Sequence, residues 1–120
     1  WCITRSPLMF GGDLAVLDEF TESIITNEEV LQANIEGSDP KLFYREGNQV
    51  VWLSDHGDDA KFLALFNLGE EAEVIEIKIS DLGMKKPKRM RDLWHQKKVR
   101  VGDILSVKIP PHGAAMYKVE

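Results

Sequence analysis

The sequence predicts a mainly β fold, an antiparallel β-sandwich preceded by a short strand and two helices. Three observations carry that reading. Apolar residues recur at strand period through the last two thirds of the chain, turn residues punctuate those stretches, and helical spacing is confined to the first third. About seven or eight short strands at such spacing argue for a sandwich.

Residues 6–14, SPLMFGGDL, set an apolar run between Pro7 and the pair Gly11-Gly12, the pattern of a brief buried strand ending in a turn. Asp18 then caps a helix whose apolar residues are Leu17, Phe20, Ile24 and Ile25, and Thr26 with Glu29 forms a capping box for a second one. Val30, Leu31 and Ile35 give the second helix its apolar face. Gly37, Ser38, Asp39 and Pro40 stop it, which divides the chain into residues 1–39 and residues 40–120.

Beyond that boundary, residues 41–45 and 49–54 flank Gly47-Asn48 as a tight hairpin. Residues 61–67 are apolar on both faces through Phe62, Leu63, Ala64, Leu65 and Phe66, so this should be a central strand. In residues 73–79, Ile75, Ile77 and Ile79 point one way while Glu76 and Lys78 point the other. Further strands are expected at residues 89–94, 104–109 and 114–119. Leu105, Val107 and Ile109 should face inward.

The 120 residues, 43% hydrophobic and 29% charged, suit one ordinary domain, whereas a complete (β/α)8 barrel needs about 250. No apolar run approaches the roughly 18 residues of a membrane-spanning helix. The chain opens on Trp1 with no initiator Met and no signal-peptide pattern, which points to a piece of a longer polypeptide. Cys2 stands alone and reads as a buried thiol.

The net charge of −5 hides a segregation. Before Lys41 the only cation is Arg5, while Lys85, Lys86, Lys88, Arg89, Arg91, Lys97, Lys98 and Arg100 crowd the later stretch against Asp92 alone. An overall acidic chain lacking groove-reading elements is a poor nucleic-acid binder, so the basic run reads as a solvated loop and outward strand positions that offset the acidic helices.

Chemistry-bearing patterns are few. Ser54-Asp55-His56-Gly57-Asp58-Asp59 offers oxygen ligands around a glycine, yet it lacks the terminal bidentate Glu of a calcium loop and reads as a polar turn. His95 and His112 have no partner at zinc-ligand spacing and also read as turn residues. Neither a nucleophile elbow, a phosphate-binding glycine loop nor paired cysteines occur. No metal or cofactor is expected. Trp52, Trp94 and Tyr44 are candidate sugar-stacking rings, although core packing is the first reading for Trp52 and Trp94.

The stretch from Trp1 through Ser6-Pro7-Leu8-Met9-Phe10-Gly11-Gly12-Asp13-Leu14 resembles the final barrel unit of family 27 of the glycoside hydrolases, the α-galactosidases and α-N-acetylgalactosaminidases. The resemblance continues in order through Ile25-Thr26-Asn27, Glu29-Val30-Leu31-Gln32-Ala33-Asn34, Val51-Trp52, Ala64-Leu65-Phe66-Asn67, Arg91-Asp92-Leu93-Trp94 and Pro111-His112-Gly113-Ala114. It implies an end of a TIM barrel followed by a C-terminal antiparallel β-domain. It also implies a retaining glycosidase parent, whose two carboxylates must stand about 5 Å apart. In the family both catalytic Asp residues lie on earlier barrel strands, so the resemblance implies no catalytic residue here. Ile35-Glu36-Gly37-Ser38 departs from the family's Asp-Pro-Leu-Gly.

In this resemblance Asp13 is the one carboxylate at a barrel-strand end, the face where barrel active sites form, but a structural role at the turn after Gly11-Gly12 is its first reading. The substrate-binding candidates are therefore Asp13, Trp52, Trp94 and Tyr44. Two functions compete. A buttress for the catalytic barrel of the same polypeptide should show an apolar patch made by Leu8, Phe10, Leu17, Phe20 and Ile24. A free-standing carbohydrate-binding module, taking an α-galactoside or another sugar, should instead show exposed coplanar aromatics. An independent enzyme ranks last, and neither nucleic acid nor membrane is an expected partner.

Overall fold

The computed structural model describes residues 1–84 and 87–120. Lys85 and Lys86 of the basic run lie outside the described residues. Helices α1 (Glu19–Ile25) and α2 (Glu28–Glu36) precede strands β1 (Ser38–Glu46), β2 (Gln49–His56), β3 (Ala60–Asn67), β4 (Glu73–Lys78), β5 (Met90–Asp92), β6 (Lys97–Val99), β7 (Ile104–Ile109) and β8 (Ala114–Val119). The large sheet runs β1-β2-β3-β8-β5-β6 and the small one pairs β4 with β7. Every pairing among the described residues is antiparallel.

Strand alternation sorts the side chains into two cores. On one face of the large sheet Val51, Leu53, Leu63, Leu65 and Val119 meet Ile75, Ile77, Leu105 and Ile109 of the small sheet, closing the sandwich. On the other face Phe62, Ala64 and Met116 meet Val30 and Ala33 of α2, with Ile3 beside them. The central strand β3 is buried from both sides, which is why its sequence is apolar without alternation. Each buried Leu, Ile or Phe contributes about 1.5–3 kcal/mol relative to exposure.

Much of the expected order is found. Gly47 takes φ +55° in the two-residue link between β1 and β2, as the hairpin requires. Asp18 caps α1, its Oδ1 accepting from the Thr21 N–H at 2.6 Å. β4 and β7 alternate as read, with Ile75, Ile77, Leu105 and Ile109 buried.

Several expectations need correction. Residues 6–10 form no strand, and Leu8, Met9 and Phe10 are 44%, 91% and 44% exposed. A strand needs a neighbour for its backbone N–H and C=O groups, and no described strand lies beside this segment. It is held to α2 instead, where Asn34 Nδ2 donates to the Ser6 carbonyl (2.8 Å) and Arg5 Nε donates to the Asn34 carbonyl (3.2 Å). The second helix is capped by Asn27, not Thr26, whose Oγ1 donates back to the Glu22 carbonyl at 2.7 Å and closes α1. The strand expected at residues 89–94 shortens to β5, and β6 was not foreseen. Ile79 leaves β4 for a 3-10 turn (Ile79–Leu82).

The stop at Gly37–Pro40 also starts β1. A Cβ on Gly37 would stand 2.4 Å from the Ala33 carbonyl oxygen and 2.5 Å from Ser54 Oγ, so only glycine lets the chain leave α2 this close to β2. Asp39 at φ +46° and the irregular register near Lys41 then bend this edge strand.

Candidate functional site

An apolar groove of about 630 Å³ lies between the N-terminal segment and the α2-side face of the large sheet. Leu8, Met9, Phe10, Ile24, Phe66 and Trp94 line it, and among the described residues no ionisable side chain other than the Cys2 thiol does. Such a surface is suited to burying apolar area against a partner. Burial pushes the Cys2 thiol up, away from a reactive thiolate.

The segment after β5 positions the groove's aromatic edge. Leu93 is buried, its N–H donating to the Met116 carbonyl at 2.9 Å and its carbonyl accepting from Asn27 Nδ2 at 3.0 Å. These bonds fix the next residue, Trp94, at the groove, 36% exposed. Asp92 closes the turn beyond it, with Oδ1 accepting from the His95 N–H at 3.0 Å and Oδ2 within 2.9 Å of His95 Nδ1. Burial, and then the neighbouring Asp92 charge, push the Tyr117 phenol up to about 12.

A second link joins the same two regions. The Glu29 carboxylate of α2 accepts from both Nε and Nη2 of Arg91 on β5, each at 2.6 Å. The acidic front and basic back of the sequence thus meet in one bidentate pair. Hydrogen bonds from Arg91 hold the Glu29 carboxyl below its usual 4.5; partial burial opposes them, and the Arg91 and Lys118 charges reinforce them. Because the folded value is depressed, the pair's stabilisation is complete above pH 4.5 and is lost as pH falls through the folded value. Urea midpoints of the native chain and Glu29→Gln should therefore converge between about pH 6 and about pH 3. A constant gap would show that Glu29 acts by packing alone.

The four candidate substrate residues occupy separate places. Asp13 is exposed, and its Oδ1 accepts from the Ala15 N–H at 2.9 Å, capping a 3-10 turn (Leu14–Val16). Trp52 is half-buried against the core under α2, and Trp94 stands at the groove. Tyr44 packs on the sandwich side of the large sheet, where its hydroxyl donates to Gln49 Oε1 at 3.2 Å. Of the expected patch, Leu8, Phe10 and Ile24 line the groove; Leu17 and the 74%-exposed Phe20 do not. Trp1, Met9 and Phe66 were missed, and only Phe66 carried a signal, through its alternation with Phe62 and Ala64 in β3.

The polar sequence clusters resolve into turns. Gly57 takes φ +63° with Asp58 and Asp59 exposed beside it, while Asp55 pairs with Lys61. His56 Nδ1 stands 3.6 Å from Glu36, and His112 Nε2 is 3.1 Å from Glu70. Among the described residues no group of three or more His, Cys, Asp and Glu could hold a metal ion, and no helix is long and apolar enough to cross a membrane.

Comparison with known proteins gives a consistent answer. The family model described as the alpha galactosidase C-terminal beta sandwich domain matches residues 46–119. The chain is 40% identical to the family 27 β-L-arabinopyranosidase of Geobacillus stearothermophilus, with a TM-score of 0.95, covering 100% of this chain and 28% of that one. It is 29% identical to alpha-galactosidase 2 of Arabidopsis thaliana, over 98% of this chain and 31% of the relative. The fold is also that of alpha-galactosidase I from Mortierella vinacea, with a TM-score of 0.91 at 24% identity over 99% of this chain and 33% of that one. The chain therefore spans about a third or less of the length of these proteins.

Proposed function

Because the chain belongs to the α-galactosidase C-terminal β-sandwich family, we propose that it is the non-catalytic C-terminal part of a family 27 retaining glycoside hydrolase and buttresses that enzyme's catalytic barrel. In this reading residues 1–39 complete the barrel and residues 40–120 form the β-domain behind it. The observation that carries it is the apolar groove with the unpaired segment at residues 8–10. A backbone stretch with no strand partner among the described residues, carrying the exposed Leu8, Met9 and Phe10, suits insertion beside neighbouring barrel strands. Asp13 then stands at the C-terminal end of the last barrel strand.

The free-standing carbohydrate-binding module is less well supported. Trp52 and Tyr44 lie on opposite faces of the large sheet, so the three candidate rings make no common platform. The substrate class of the whole enzyme is an α-galactoside or a β-L-arabinopyranoside. These two sugars share ring stereochemistry and differ by one hydroxymethyl group, so a common barrel scaffold accommodates either.

A chimera tests the proposal. The matching 28% of the Geobacillus enzyme is replaced by this chain and hydrolysis of aryl β-L-arabinopyranosides and aryl α-galactosides is measured. The expected result is a soluble, active hybrid, while this chain alone hydrolyses neither substrate. Hydrolysis by the isolated chain, or a folded hybrid with no activity, would sink the buttress reading.

A further inference from the structure

A shallow cleft of about 580 Å³, largely open to solvent, lies at the opposite side of the sandwich, between the β1–β2 hairpin and the edge of β4. Tyr44, Arg45, Glu46, Gln49, Val74 and Glu76 line it. We propose that this cleft is an accessory binding site for a neutral saccharide, separate from the groove that faces the barrel. Its size falls among small-molecule sites, which span about 300–1,000 Å³.

Part of the cleft's polar lining, Tyr44, Gln49 and Glu76, is held in place before any ligand arrives. Gln49 Oε1 accepts from the Tyr44 hydroxyl at 3.2 Å, while its Nε2 donates to Glu73 Oε2 at 2.9 Å and to the Val74 carbonyl at 3.3 Å. This chain of bonds ties the hairpin of the large sheet to the edge of the small one. Ser106 Oγ donates to Glu76 Oε1 at 3.1 Å and steadies the far wall. A pre-set wall lowers the ordering cost of binding.

The chemistry of the lining selects the ligand. The half-buried Tyr44 ring offers a flat hydrocarbon surface, and the planar guanidinium of Arg45 and carboxylates of Glu46 and Glu76 offer paired donors or acceptors. Paired planar groups around a ring match the vicinal hydroxyls and apolar face of a sugar. With Arg45 against Glu46 and Glu76, the lining is net negative and disfavours an anion, while an uncharged ligand needs no counter-charge. Because α2 and the groove occupy the other face of the large sheet, a barrel docked there leaves this cleft open to solvent.

The test is an amide-resolved NMR titration of the chain with raffinose, L-arabinose and galacturonate. Raffinose or L-arabinose should produce saturable shifts at Tyr44, Gln49 and Glu76 with a dissociation constant of about 1–10 mM. Galacturonate should bind at least about fivefold more weakly. Glu76→Gln, an exposed change that leaves the fold intact, should weaken binding roughly fivefold, and Tyr44→Leu roughly tenfold. Shifts confined to the Trp94 groove, no saturation up to about 100 mM, or an unchanged constant in Glu76→Gln would each overturn the site. The chimera is independent of this result: an active hybrid whose cleft shows no shifts removes the accessory site and leaves the buttress standing.

Discussion

Phe62→Ala is expected to lower the unfolding free energy by about 3–5 kcal/mol. The ring is fully buried on β3, between Ser54 of β2 and Lys118 of β8 in register, and it supports α2 through Val30 and Ala33. It also meets the His56 imidazole, with ring centroids 4.9 Å apart. Strands on both sides hold the backbone, so the sheet cannot collapse into the gap, and the cavity adds to the lost transfer energy. Domains of this kind have only about 5–15 kcal/mol in total, so the variant should approach the limit of folding. Phe66→Ala, at the half-buried position facing the groove, should cost less than half as much. Urea unfolding of both variants measures the difference. A loss below about 1.5 kcal/mol for Phe62 would mean that α2 settles onto the sheet and is not rigidly seated.

The same two-faced burial explains how much of the fold is legible from the residues. A strand apolar without alternation announces layers on both sides, and β3 has them: the small sheet on one and α2 on the other. The alternation in β4 and β7 likewise marks a pair of strands with one dry face. What escapes is decided by neighbours and not by local pattern. β6 has one apolar residue in Lys97-Lys98-Val99 and exists because it adds to the edge of β5. Residues 6–10 carry a strand pattern, yet pattern alone supplies no partner for their backbone. Lys97 and Lys98 also guard an exposed sheet edge, a use of charge that a sequence reading cannot tell from simple solvation.

The candidate site divides in the same way. Trp94 was visible as a residue type, but its place at the groove depends on Leu93, whose buried bonds run to α2 and β8. Tyr44 was named among sugar-stacking rings, but its separation from Trp52 follows only from the irregular register of β1 against β2. Thr26 with Glu29 satisfies the capping-box pattern and still loses to Asn27. Asn27 also bonds to Leu93, 66 residues away, a contact that no window around the helix start can contain.

Asn27 is accordingly the position where a small change should have the second largest effect. Its Oδ1 accepts from the Glu29 and Val30 N–H groups at 3.1 and 3.2 Å, while its Nδ2 donates to the buried Leu93 carbonyl at 3.0 Å. Asn27→Ala removes the cap, worth about 1 kcal/mol, and strands a buried carbonyl at a further cost of about 1–3 kcal/mol. Asn27→Asp separates the two. Its carboxylate still caps α2 and suits a helix N-terminus, but it has no donor for Leu93 and places charge beside a carbonyl oxygen. If the tie to β5 dominates, the Asp variant should keep helix content near native and still lose at least about 1 kcal/mol, with faster amide exchange at Leu93 and Trp94. If capping dominates, it should match the native chain on both measurements. The first outcome is expected, because Asn27 is only 7% exposed and water can hardly replace its donor. The start of α2 would then set the position of Trp94, and through it the shape of the groove that faces the barrel.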